Sequence, residues 1–126
     1  MKILTGVVGR ILLAVPFLVL GAMHLMGAQN MSGMIPKFFP GSAVMYIYIT
    51  GVIQVIVGIS IITKKMAQIM CFIQAILLII YIATLHIPGL MNPEMMMMAM
   101  SGLLKDTGLL GGLLVFIGTL EKPESI

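Results

Sequence analysis

Four apolar runs constrain this chain more than any other feature. They cover residues 3–26, 44–63, 66–86 and 102–120, and each is near the ~20 residues that take a helix across a bilayer. In hydrocarbon every backbone N–H and C=O needs an internal partner, so only helices and closed barrels span it. The runs are continuous and lack the period-two alternation of barrel strands, which selects helices. Of 126 residues, 60% are hydrophobic and only 9% charged, whereas a soluble domain carries about 25% charged residues. A water-covered surface cannot be assembled from this composition. The expectation is an all-α integral membrane four-helix bundle forming a single domain over residues 1–126.

The connections differ in kind. Thr63, Lys64 and Lys65 alone join the second and third runs, which predicts a tight hairpin. The first and second runs are separated by GAQNMSGMIPKFFPGSA, in which Met31, Met34, Ile35, Phe38 and Phe39 recur at the spacing of a short interfacial helix. The third and fourth are separated by IPGLMNPEMMMMAMS, read as a flexible Met-rich loop. The two long loops fall on one side of the bundle and cap it. Lys2, Arg10, Lys64, Lys65 and Lys122 lie on the other side, against Lys37 and Lys105 on the capped side. That five-to-two excess predicts cytoplasmic termini and a multi-pass protein of the bacterial cytoplasmic membrane. The net charge of +3 is thus a topology signal and not a nucleic-acid footprint. The opening MKILTGVVGRILLAVPFLVLGA outlines a secretory leader, but its apolar region exceeds the usual ~7–15 residues and Arg10 interrupts it, so the first helix is read as retained. Pro16 removes a backbone donor inside that helix and is expected to kink it.

Within the first run, Arg10, Ala14, Phe17, Gly21 and His24 recur at helical spacing. Ionisable groups at membrane depth are costly and turn toward a bundle interior or a polar cavity, so this stripe should face partner helices. Arg10 reads either as a side chain snorkelling to the headgroups or as a charge clamp on Glu121 and Glu124 of the C-terminal tail or on a partner subunit. His24, His86, Lys105 and Asp106 end or open their runs on the capped side, beside Lys37, Asn92 and Glu94. Each histidine is read first as an interfacial residue bonded to a carbonyl, and alternatively as a ligand for a metal or a b-type haem. Asp106 is the natural partner of His86 or Lys105, and the four residues are expected to share one pocket under the cap. At mid-depth, Thr50, Gly51, Gln54 and Gly58 share one helix face, as do Cys71, Gln74 and Tyr81. Small residues beside an amide usually mean close packing with a cross-helix hydrogen bond. The sharper reading is that Gln54, Gln74 and Tyr81 line a slot for a quinone headgroup or another small lipid-soluble ligand.

Other features argue for less. Gly108 and Gly112 have the GxxxG spacing of packing or homodimer formation. Cys71, the only cysteine, excludes an intramolecular disulfide and a CxxC centre and reads as a small buried residue. Met95–Met98 with Met100 supplies thioethers for Cu(I), but consecutive helical side chains point apart and cannot converge on one ion. Haem b and copper therefore rank behind a quinone as cofactor.

A family resemblance joins these pieces. An early arginine leads into GAMHLMG; MIPKFFPG, TGVIQVIVGISIITKK, LHIPGL and LLKDTGLLGGLL follow in order. From about Arg10 to Leu114 the pattern resembles the DoxX family of small four-helix membrane proteins. The resemblance implies a subunit of, or support for, a quinone-linked membrane oxidoreductase with partner subunits. By position it matches Arg10, Pro36 to Pro40, His86, Lys105 and Asp106 to the family's features. Gln54 stands where many DoxX relatives carry a glutamate, which removes a proton carrier. The alternative function is a non-catalytic membrane scaffold or a lipid- or small-ligand-binding protein.

Overall fold

The computed structural model describes residues 2–27 and 41–120, all of whose regular structure is helical. Four helices are long and apolar enough to cross a membrane: α1 (Leu4–Met26), α2 (Ala43–Thr63), α3 (Ala67–Leu90) and α4 (Met96–Leu120). This is the pattern of a multi-pass membrane protein. Their outward faces carry exposed Leu12, Val19, Ile49, Ile59, Ile69, Ile79 and Val115, an apolar exterior compatible with lipid and unsuited to water. The proposed interfacial helix at residues 31–39 and the tail carboxylates Glu121 and Glu124 lie outside the described residues.

Two compact units divide the chain, Met1–Met70 and Cys71–Ile126. In the first, α1 packs on α2 through small residues. A Cβ added at Gly21 would stand 2.9 Å from the Gly51 carbonyl oxygen, and one at Gly58 would stand 2.6 Å from the Leu18 side chain and 3.3 Å from the Ala14 carbonyl oxygen. Association in lipid has no hydrophobic drive between helices, so backbone proximity and van der Waals contact supply it. The stripe anticipated on α1 is this contact face: Ala14, Phe17 and Gly21 are buried, and Arg10 and His24 are half-buried. Helix α1 continues through Pro16 and opens with a π-helical stretch, Leu4–Val8. The turn after α2 contains two left-handed residues, Lys64 (φ 63°) and Met66 (φ 54°). Thr63 Oγ1 steadies it, donating to the Ile59 carbonyl at 2.9 Å and accepting from Lys65 N–H at 3.3 Å.

In the second unit the helix bounds differ from expectation. Helix α4 begins at Met96 and not at 102, so the Met run forms its first turn instead of a flexible loop. Methionine is a good helix former, and the pair Lys105–Asp106 was mistaken for a helix end. Met91, Met97 and Met98 are exposed, while Ala99 is buried. Helix α3 runs past 86 to Leu90, with a π-helical stretch at Ile82–His86 just before Pro88. Pro88 lacks the N–H that an α-helix would return to the Thr84 carbonyl, and the preceding turn widens accordingly. On α4, added Cβ atoms at Gly108, Gly111 and Gly118 meet nothing within 4 Å among the described residues, so these three glycines make no close contact there.

This contrast between glycines is testable. Gly58→Leu should destabilise the protein by about 1–3 kcal/mol through overpacking, while Gly118→Leu should stay within about 0.5 kcal/mol. Buried Cys71 provides the readout, because a thiol-reactive dye reaches it on unfolding. Equal losses for the two variants would contradict the packing described.

Candidate functional site

The ionisable groups that the structure brings together lie in the second unit. His86 Nε2–H donates to Asp106 Oδ2 at 2.6 Å, and Lys105 Nζ stands 3.4 Å from Asp106 Oδ1. Asp106 is 3% exposed. Its position is deep in α4, about 15 Å along the axis from Met96. An unpaired carboxylate there would cost several kcal/mol, and both its oxygens are answered. Lys105 keeps about half of its side chain exposed, and His86 keeps 15%.

The backbone makes room for this arrangement. A Cβ added at Gly102 would lie 2.5 Å from Cε1 and 2.7 Å from Nδ1 of His86, so the imidazole is seated over a bare backbone. One turn earlier, a Cβ at Gly89 would meet the Ala99 Cβ at 2.8 Å. Ala99, Gly102 and Asp106 fall at i, i+3 and i+7 on one face of α4. The π-helical stretch ends at His86 and sets the angle at which the ring leaves α3. Thr84 Oγ1 donates back to the Ile80 carbonyl at 2.7 Å, taking up a carbonyl near the widened turn. Gly89, Ala99 and Gly102 escaped the sequence reading, although small residues one and two turns before a membrane aspartate, here Gly102 and Ala99, are a usable signal.

Among the described residues the imidazole has no bond at Nδ1. Asp106 therefore fixes one ring nitrogen and leaves the other, which accepts when the ring is neutral and donates when it is protonated. The remaining candidates sit apart from this cluster in sequence and in bonding. His24 belongs to the first unit and donates from Nδ1 to the Leu20 carbonyl of its own helix at 2.6 Å. Gln54, also in the first unit, is 3% exposed and its Oε1 has no partner among the described residues. Gln74 in α3 is fully buried with both amide atoms unpartnered, and Tyr81 is half-buried. Arg10 Nη1 donates to the Ile62 carbonyl at 2.9 Å, capping the last turn of α2. A backbone carbonyl was not among the partners that the sequence suggested, which were lipid headgroups, the tail carboxylates or a partner subunit.

Gly102→Ala should displace the imidazole from Asp106 and lower stability by about 1–2 kcal/mol. The same change made in a His86→Ala background should cost little, because neighbours that share a contact couple by about 0.5–3 kcal/mol. Additive losses would show that the ring is not seated on Gly102.

Residues 13–104 match the sequence family described as Domain of unknown function (DUF8561). No curated protein and no solved structure matches the chain. The DoxX assignment is thereby overturned, since the matching family is a different one. The motifs that suggested DoxX are short, apolar and rich in glycine and proline, a vocabulary that membrane helices share because they pack alike. The match covers well over half of the 126 residues, and the chain belongs to the DUF8561 family.

Proposed function

We propose that this is a small-ligand-binding membrane protein in which the His86–Asp106–Lys105 cluster holds the polar head of a lipid-soluble molecule, a quinone being the first candidate. The observation that carries the reading is the 2.6 Å bond from His86 Nε2 to nearly buried Asp106, which leaves Nδ1, over the bare backbone of Gly102, without a hydrogen bond among the described residues. A quinone carbonyl needs a donor and a quinol hydroxyl needs an acceptor, and imidazole supplies either according to its protonation. The exposed Lys105 ammonium adds a second donor beside it. None of these side chains is a redox centre, so electrons would have to come from the ligand or a partner. The link to a quinone-linked oxidoreductase entered through the DoxX resemblance, and these residues support the ligand site without it.

The second reading is a scaffold in which the same bond only clasps α3 to α4. The close approach of Gly89 to Ala99 and of Gly102 to His86 favours it. The two readings separate by experiment. Lipid extracts of protein purified in mild detergent should contain quinone, and a short-chain quinone should raise the melting temperature of the wild type. His86→Gln should abolish that rise while the protein still unfolds cooperatively. A protein without extractable quinone or ligand-induced shift would leave the clasp alone; a Soret band in the visible spectrum would replace quinone with haem.

The orientation belongs to the same reading: a bundle of four spans in a bacterial cytoplasmic membrane, with the termini inside and the α1–α2 and α3–α4 connections outside, on the five-to-two distribution of Lys and Arg. In a Cys71→Ser background, Ser42→Cys should react with an impermeant maleimide from outside and Ser125→Cys should not. Labelling at 125 in intact cells would reverse the topology.

A further inference from the structure

The first unit carries cations without anions. Residues 1–70 include Lys2, Arg10, Lys37, Lys64 and Lys65 but no Asp or Glu; the carboxylates of the chain are Glu94, Asp106, Glu121 and Glu124. Three of the cations converge at one end of the α1–α2 pair. Arg10 reaches the Ile62 carbonyl at 2.9 Å, and exposed Lys64 and Lys65 follow in the turn that ends α2. A guanidinium has five N–H donors in a rigid fork. One reaches Ile62, Nε is buried without a partner, and among the described residues no other acceptor meets the group. Gly6, four residues before Arg10, leaves open space where a side chain would stand.

We propose that this end of the first unit is a binding site for the phosphate headgroup of an anionic phospholipid, with Arg10 as the fork and Lys64 and Lys65 as flanking charges. Depth and charge argue together. Arg10 lies about 9 Å along α1 from Leu4, so its long side chain extends from the apolar boundary to headgroup level. Its planar donors fit phosphate oxygens in pairs, a geometry that lysine cannot offer. The site supplies positive charge that no carboxylate of residues 1–70 answers, and a lipid phosphate is the anion at this depth. Bonding to Ile62 holds the guanidinium in place before the lipid arrives, which lowers the entropy lost on binding. The proposal requires only that α1 and α2 cross a membrane, and it is independent of the ligand site in the second unit.

The test uses the full chain in mild detergent, titrated with phosphatidylglycerol, phosphatidylcholine or inorganic phosphate and read by native mass spectrometry. The wild type should retain phosphatidylglycerol in preference to phosphatidylcholine. Each cation removed should weaken phosphatidylglycerol binding about fivefold, so Lys64→Gln/Lys65→Gln, both at exposed positions, should lose more than tenfold while folding normally. Arg10→Gln should lose at least as much as either single lysine variant, and Arg10→Lys should recover only part of it. Wild-type retention in the double lysine variant, or no preference between the two lipids, would overturn the proposal. So would displacement of phosphatidylglycerol by an equal concentration of inorganic phosphate, since the site would then hold a small anion and not a lipid.

Discussion

A carboxylate inside a helix apolar enough to span a membrane must be answered by its own protein, and Asp106 sets this requirement for the second unit. Placing such a group at mid-membrane costs about 2.5–3.5 kcal/mol on insertion scales, and stripping one partner from a buried pair costs about 3–5 kcal/mol. The structure meets the requirement with two donors, His86 at 2.6 Å and Lys105 at 3.4 Å. Other features of the unit follow from reaching that geometry. The end of α3 widens into a π-helical stretch ahead of Pro88, and α4 presents Gly102 where the ring must lie. A side chain at 102 would require the His86 ring to shift at the observed helix separation.

The first unit has a different organisation. Its helices meet through Gly21, Gly51 and Gly58, and the approach is near the limit that backbone contact permits. Three of its charged groups, Arg10, Lys64 and Lys65, lie at one end, where Arg10 caps α2. Gln54 sits on the glycine-bearing face of α2, yet its carbonyl oxygen has no partner among the described residues. Close packing is the main tie between this pair, with the Arg10 bond to the Ile62 carbonyl at one end, in keeping with the modest worth of side-chain hydrogen bonds in lipid, about 0.6 kcal/mol on average. One unit is thus built on close backbone contact and the other on an ion cluster.

Much of this was legible in the residues. The stripe of Ala14, Phe17 and Gly21 identifies the packed face of α1 because apolar surroundings leave small and polar residues as the only marks of a contact. The pairing of Asp106 with His86 or Lys105 follows from charge economy alone. Other features were not legible. The start of α4 at Met96 is invisible to a reading that takes charge as the sign of a helix end, since here the charges lie three turns inside. A π-helical turn leaves no distinct residue pattern. The Ile62 carbonyl that receives Arg10 is a backbone group, which sequence does not single out. Family membership was misread for a related reason: motifs made of Gly, Pro and aliphatic residues encode helix packing more than ancestry. The Leu20 carbonyl that receives the His24 ring is, like that of Ile62, a backbone group.

The central claim is that the His86–Asp106 bond organises the second unit in a lipid environment. The chain has two histidines, so nitrogen-15 labelling of histidine gives two imidazoles to resolve. Solid-state NMR of the protein in bilayers should show one ring with a hydrogen-bonded Nε2–H whose resonance moves when Asp106 is changed to Asn, while the His24 ring, bonded through Nδ1 to Leu20, stays where it was. Two spectra that are the same before and after Asp106→Asn would contradict the account.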